Sequence, residues 1–332
     1  MRTTVSILML FASMFLAFAV PTSSAGPRSW KIMAGGYVEA QALQAEKFLP
    51  GSITINEGDS VTWALGGNAH TIYIPGTAKV PDLVVPGKSK GELLFNSVFY
   101  YATGKAYDGS GPFSAGALEP GFRTSTTVTF TKAGKYKYVC AFHPGMEGTV
   151  VVQPAGSAYP KTQAQYDLLA QQQAQSAFGA GRSLLRKNSA GSIREASGKV
   201  RYTITILGSN DSRFNSLRFQ PDNLRIKAGD TVTWKTADPT DIHTVTFLSG
   251  RKTPDLELFQ ANKTVIANPI VMNPAGGHVY AGQGYFNSGI LDPTDPQAPH
   301  EYSLTFTTLG RFEYVCVVHD EFGMKGTITV TK

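Results

Sequence analysis

Gly134-Lys135-Tyr136-Lys137-Tyr138-Val139-Cys140-Ala141-Phe142-His143-Pro144-Gly145-Met146 and Gly310-Arg311-Phe312-Glu313-Tyr314-Val315-Cys316-Val317-Val318-His319-Asp320-Glu321-Phe322-Gly323-Met324 are two copies of one pattern. Each opens on a glycine turn, alternates apolar and polar residues as a half-buried strand does, and delivers a cysteine at the strand's end. The preceding stretches, Thr126-Thr127-Val128-Thr129-Phe130 and Tyr302-Ser303-Leu304-Thr305-Phe306, alternate in the same way. After each methionine, Gly148-Thr149-Val150-Val151-Val152 and Gly326-Thr327-Ile328-Thr329-Val330 predict a closing strand.

The duplication reaches further upstream. Gly58-Asp59-Ser60-Val61-Thr62-Trp63 returns as Gly229-Asp230-Thr231-Val232-Thr233-Trp234, and Phe48-Leu49-Pro50 as Phe219-Gln220-Pro221. A glycine-rich block also repeats, from Tyr107, Gly109, Gly111 and Phe113 to Tyr280, Gly282, Gly284 and Phe286. Many short alternating strands with turn residues between them, repeated twice, predict an all-β chain of two tandem antiparallel β-sandwiches. The boundaries that follow are a leader at 1–25, a first domain at 26–153, a linker at 154–199 and a second domain at 200–332. Within the linker, a Gln-, Ala- and Leu-rich run from Lys161 to about Leu185 predicts a helix with Tyr166, Leu168 and Leu169 on its apolar face. Gly179 to Ser197 reads as increasingly flexible.

Residues 1–25 have the form of a secretory signal: Arg2, an apolar run from Val5 to Val20, then Ser23-Ser24-Ala25. That run is shorter than the ~20 residues a spanning helix needs, which argues for cleavage rather than membrane insertion. The expected location is therefore exported: periplasmic, extracellular or cell-surface. The formal charge is +6, and the linker carries six Lys and Arg against two acids. This excess points to an acidic partner or anionic surface near the linker. No basic stretch is interleaved with aromatics as a nucleic-acid platform would be.

The chain has two cysteines, and each is followed by a histidine and then a methionine on one short loop. Soft sulfur ligands combined with imidazole select copper. Each loop needs a second histidine from elsewhere, and His70 and His243 lie at nearly matching distances upstream. The candidate ligands are thus His70, Cys140, His143 and Met146, then His243, Cys316, His319 and Met324. The competing reading of two cysteines in an exported chain is one disulfide. Their equivalent places in two repeats, each with its own histidine and methionine, argue against it.

With these motifs the chain resembles the cupredoxin family of blue copper proteins over nearly all of both halves. The first ligand loop is similar to the short loop of amicyanin, and the second to the longer loop of plastocyanin. The resemblance implies Greek-key sandwiches, one type 1 copper at one end of each, and single-electron transfer between a redox donor and an acceptor protein. It also implies that the outer ring edges of His143 and His319 face solvent, with Phe142 and Pro144 as an apolar docking rim. Thr71 and Thr244 stand where many family members have asparagine, so their hydroxyls are expected to donate toward the thiolates.

Two-domain cupredoxins include nitrite reductases and small laccases, which need further histidines. This chain has no His-x-His pair, and Val139 and Val315 precede the cysteines. Of its six histidines, only His278 and His300 remain. With Asp292 or Asp295 they are the candidates for an additional, catalytic metal. A copper store or delivery protein would show Met- or Cys-rich exchangeable tracts, and there are none beyond the two loops. The reading is an exported electron carrier with two blue copper centres of different potential.

Overall fold

The computed structural model describes residues 26–187 and 191–332, so the expected leader lies outside the described residues. The chain is built mostly of short strands, as the alternation predicts. In the first half, Gly134–Val139 pairs with the closing strand Glu147–Gln153 and meets His70–Ile74 at Val139 opposite Tyr73. His70–Ile74 in turn pairs with Phe113–Leu118. The second half repeats this with Gly310–Val315, Lys325–Thr331, Thr246–Phe247 and Phe286–Ser288. Each sheet faces another across a core centred on an equivalent tryptophan, Trp63 or Trp234, both fully buried.

The opposite sheets of the two halves do not stay separate. Strand Leu43–Leu49 of the first half pairs with Phe214–Ser216 of the second, which merges them into one sheet of eleven strands. The pairing is Leu43 with Ser216, Gln44 with Asn215 and Ala45 with Phe214. By the repeat, Leu43 corresponds to Phe214, Gln44 to Asn215 and Ala45 to Ser216, so the ladder is self-complementary about its middle pair. That is the signature of a two-fold axis. A second ladder, Phe95 with Val265 and Leu94 with Ile266, joins the halves elsewhere. The two copies are therefore packed as the subunits of a symmetric dimer would be, but within one chain.

The segment between the halves is not a loose tether. The helix Gln163–Lys187 continues through Gly179, and Ala177 is buried with Leu43, Ala45 and Phe214 on the merged sheet. Gly181 fits because a β-carbon there would come within 2.9 Å of Leu43. Tyr166 accepts a hydrogen bond from the Thr54 amide, and Leu169 packs on the first core. Leu168, expected on the same face, is 55% exposed: at the next-but-one position it points the other way round the helix from Tyr166. Gly191–Arg194 forms a strand on Val200–Ser209 rather than flexible linker; Asn188, Ser189 and Ala190 lie outside the described residues.

The Tyr-x-Gly-x-Gly block is structural. Tyr107 is buried against Phe113, Phe130 and Tyr136, and its hydroxyl donates to the Gly111 carbonyl at 3.0 Å. Gly109 has φ +85 and abuts Tyr136, which a side chain would strike. Tyr280 occupies the same place among Phe247, Phe286, Phe306 and Phe312. Among the described residues no helix is long and apolar enough to cross a membrane.

Candidate metal centres

In each half, a strand end, a loop and a remote histidine converge. His70 opens the strand His70–Ile74, and its neighbour strand Gly134–Val139 ends at Cys140. The Cys140 amide donates to the Met146 carbonyl (2.9 Å) and the Met146 amide to the His143 carbonyl (3.0 Å), closing the loop. In the second loop the matching bonds, from Cys316 to Met324 and from Met324 to His319, measure 3.0 and 3.2 Å. The two additional residues there are taken up by a helical turn, Asp320–Phe322, ended by Gly323 at φ +78. Loops of different length thus present the same donors.

His70 Nδ1 lies 3.0 Å from His143 Nδ1, and Cys140 Sγ lies 3.8 and 3.4 Å from these two atoms. In the second half Cys316 Sγ is 3.9 Å from His243 Nδ1 and 3.5 Å from His319 Nδ1. Both triads are buried, and each gathers its donor atoms closely enough to hold one metal ion. Met146 and Met324 are buried in the same cores as Cys140 and Cys316. Both cysteines are free. Two imidazoles, a thiol and a nearby thioether, dry and close together, fit a copper ion.

The electrostatics favour the thiolates. Burial pushes the Cys140 thiol up, but His143 and His70 outweigh it and hold the thiol well below its usual range. For Cys316, burial opposes and His319 and His243 prevail, bringing it down to about 6. The second donor to each sulfur is a backbone amide: Thr71 N–H at 3.3 Å from Cys140 Sγ and Thr244 N–H at 3.4 Å from Cys316 Sγ. The Thr71 hydroxyl donates to sulfur as expected, over a long 3.8 Å, whereas that of Thr244 has no bond to Cys316 among the described residues; both hydroxyls also have another task. Thr71 Oγ1 accepts from the Ala141 amide at 2.7 Å, and Thr244 Oγ1 from the Val317 amide at 2.8 Å. Each pins the residue after the cysteine. The Thr71 hydroxyl stands 3.8 Å from sulfur, so the amide is the closer donor.

The expectation that His143 and His319 show an edge to solvent is overturned. They are 1% and 0% exposed, because the other half covers each loop. Arg213 Nη1 donates to the Pro144 carbonyl at 2.8 Å, and Tyr37 donates to the Phe322 carbonyl at 3.1 Å while packing on its ring. The buried ring edges meet carboxylates that the sequence reading missed. Asp241 Oδ2 lies 3.0 Å from His319 Nε2 and 3.5 Å from His143 Nε2. Glu46 Oε1 is 3.5 Å from His143 Nε2, and Asp238 Oδ2 is 3.2 Å from His243 Nε2. Of these four rings, only His70 has an Nε2 with no hydrogen-bond partner among the described residues. It abuts Gly35, where a β-carbon would lie 2.3 Å away.

Burial pushes Glu46 up to about 8, against the pull of His143. For Asp241 burial acts in the same sense, but His319 and His143 dominate and keep it well below the usual carboxylate range. The available signal was the repeat itself: Asp241 stands two residues before His243, where Asn68 stands before His70. His278 and His300 are exposed, and among the described residues neither joins a cluster of metal donors.

Residues 37–153 and 207–331 both match the copper binding proteins of the plastocyanin/azurin family. The chain belongs to that family. A plastocyanin from Scenedesmus fuscus is 32% identical over 116 residues, covering 35% of this chain and 88% of that protein. Among solved structures, a reduced amicyanin variant is 20% identical, with 43% of this chain and all of the other covered, at a TM-score of 0.24. A variant fern plastocyanin is 22% identical, covering 37% and 99%, at 0.23. Such scores add nothing to the family match.

Proposed function

We propose that the protein is an exported electron carrier with two type 1 copper centres, one per half. The observation that carries this reading is the pair of buried His-Cys-His triads, each beside a buried methionine. Bound copper would supply a one-electron couple. The chain's own residues would hold the ion: they keep a thiolate ready, fix the imidazole Nδ1 atoms beside the sulfur, and exclude water. A rigid donor set of this kind suits both oxidation states, so little rearrangement accompanies electron transfer. Export rests on the composition of residues 1–25.

With both loop histidines covered, electrons reach a partner through the cleft between the halves. This cleft, of about 1290 Å³, reaches Phe142 and His143 on one loop and Val317 and Val318 on the other. Its walls also carry Asp255, Asp292, Asp295 and Asp320, while no Lys or Arg is among its lining residues. Such a mouth favours a cationic docking face on the redox partner.

The test is metal content per chain with visible absorption and electron paramagnetic resonance, in wild type, Cys140→Ser and Cys316→Ser. Two blue thiolate coppers, one lost with each substitution, support the carrier. A protein that binds copper without a thiolate charge-transfer band sinks it.

A further inference from the structure

The loop histidines of the two halves meet at one atom. Asp241 Oδ2 faces His319 Nε2 at 3.0 Å and His143 Nε2 at 3.5 Å. The same oxygen accepts from Asn215 Nδ2 at 2.9 Å and Asn68 Nδ2 at 3.4 Å, while Oδ1 accepts from the Ile242 amide at 2.8 Å. The carboxylate is thus ringed by donors and has no freedom to choose between the two rings. Asn215 belongs to the middle pair of the self-complementary ladder, so this cluster sits beside the two-fold axis. By the repeat, Asn68 is the counterpart of Asp241. A symmetric chain would have set two carboxylates against each other here. One acid and one amide instead make a bonded pair.

We infer that Asp241 is a positioning residue shared by both metal centres: it holds the Nε2–H of one ligand imidazole from each half, leaving both Nδ1 lone pairs aimed at the metals. This rests on the copper reading above. Hydrogen bonds to the outer nitrogen fix a ligand's tautomer and raise its basicity. Because one oxygen serves both rings, anything that moves or replaces it acts on both centres together.

The remaining outer contacts are unequal. In the second half His243 Nε2 also has a carboxylate, Asp238, which is itself tied by Thr240. In the first half His70 Nε2 has none among the described residues and rests against Gly35, while Glu46 Oε1 joins Asp241 at the His143 ring, also 3.5 Å from Nε2. Both ligand imidazoles of the second centre are therefore backed by anions, against one in the first. More basic imidazoles stabilise the more highly charged metal ion, so the second centre has the lower reduction potential. An electron delivered to the second centre runs downhill to the first.

The experiment uses the full mature chain. In the metal-free wild type, nitrogen-15 NMR of the histidine side chains should show the ring proton on Nε2 of both His143 and His319. An Nε2 that carries no proton on either ring overturns the assignment, whether or not copper ever binds. Asp241→Asn should lower copper affinity at both centres by ~10–100-fold and raise both potentials. Asp238→Asn should raise only the lower one. Change at a single centre in Asp241→Asn, or none, overturns the shared role. So does a third metal ion per chain that is lost in Glu46→Gln, since Glu46, His143 and Asp241 could then be holding a metal between them. If the blue band is absent altogether, the copper reading fails, while the NMR result still decides the role of Asp241.

Discussion

Gly35→Ala should empty the first metal centre and spare the second. Gly35 lies in the strand Ser29–Val38 with φ +78. A left-handed backbone costs a residue with a β-carbon ~1–2 kcal/mol. The added carbon would stand 2.3 Å from His70 Nε2 and 3.1 Å from its Cδ2. The ring cannot retreat freely, because it is fully buried and its Nδ1 is 3.0 Å from His143 Nδ1. Overpacking of this kind adds ~1–3 kcal/mol, so the sum is ~2–5 kcal/mol of destabilisation with His70 displaced. In the second half Leu207 occupies the corresponding position, so the constraint is local to the first. The assay is copper per chain, the intensity of the blue band and calorimetric stability. Gly36→Ala is the control, since a β-carbon there meets its neighbours at 3.5 Å or more and φ is not positive. Gly35→Ala retaining two coppers, a wild-type spectrum and wild-type stability would refute the placement of His70 against this glycine.

Three further outcomes are expected. Thr71→Val and Thr244→Val should each cost ~1–3 kcal/mol, by stranding the Ala141 or Val317 amide, yet leave the blue band nearly in place because the amide-to-sulfur bonds remain; chemical denaturation with absorption spectra checks both halves of this. Burial, then Glu257 and Glu321, push Glu119 up to about 8, and burial takes Glu257 to about 7. The folded protein thus keeps protons that the unfolded chain releases near ~4.3, so stability should fall as pH rises from about 4.3 to 8, by at most a few kcal/mol; Glu119→Gln should flatten the slope in urea melts. Three clusters of buried side chains contain residues of both halves, Phe99 and Tyr100 with Val265, Leu43 with Phe214, and Ala42 with Leu217. Calorimetry should therefore show one unfolding transition, and two separated peaks would count against a joined core.

The strands, the duplication and the two sets of converging donors were legible because each rests on local order. Alternation in Gly134–Val139 marks a strand, a cysteine at its end marks a loop, and a histidine and methionine on that loop leave few other uses for the sulfur. What the sequence concealed depends on how the halves meet. Nothing local to Leu43-Gln44-Ala45 shows that it will pair with Phe214-Asn215-Ser216, yet that ladder joins the halves whose contacts cover the loops of His143 and His319. Likewise Thr71 carries a hydroxyl that could donate to sulfur, and only the folded strand shows that it also accepts from the Ala141 amide. The helix was visible by composition, while its docking on the merged sheet was not, since Ala177 and Gly181 are small residues whose value lies in the space they leave.

The departures from symmetry are themselves informative. Two copies of one domain packed about a two-fold axis would give two identical centres, and the ladders at Gln44–Asn215 and Leu94–Ile266 keep that frame. The differences gather around the histidines: Asn68 against Asp241, Glu46 against Leu217, Gly35 against Leu207. None of these positions supplies a metal donor of its own triad. Each instead alters the charge or space behind an imidazole, where it can separate the properties of two centres without disturbing the donors. A symmetric frame gives the two ligand imidazoles a shared place of burial. Divergence behind them would then make that shared place directional, setting two similar metals at different potentials if both triads bind copper as proposed.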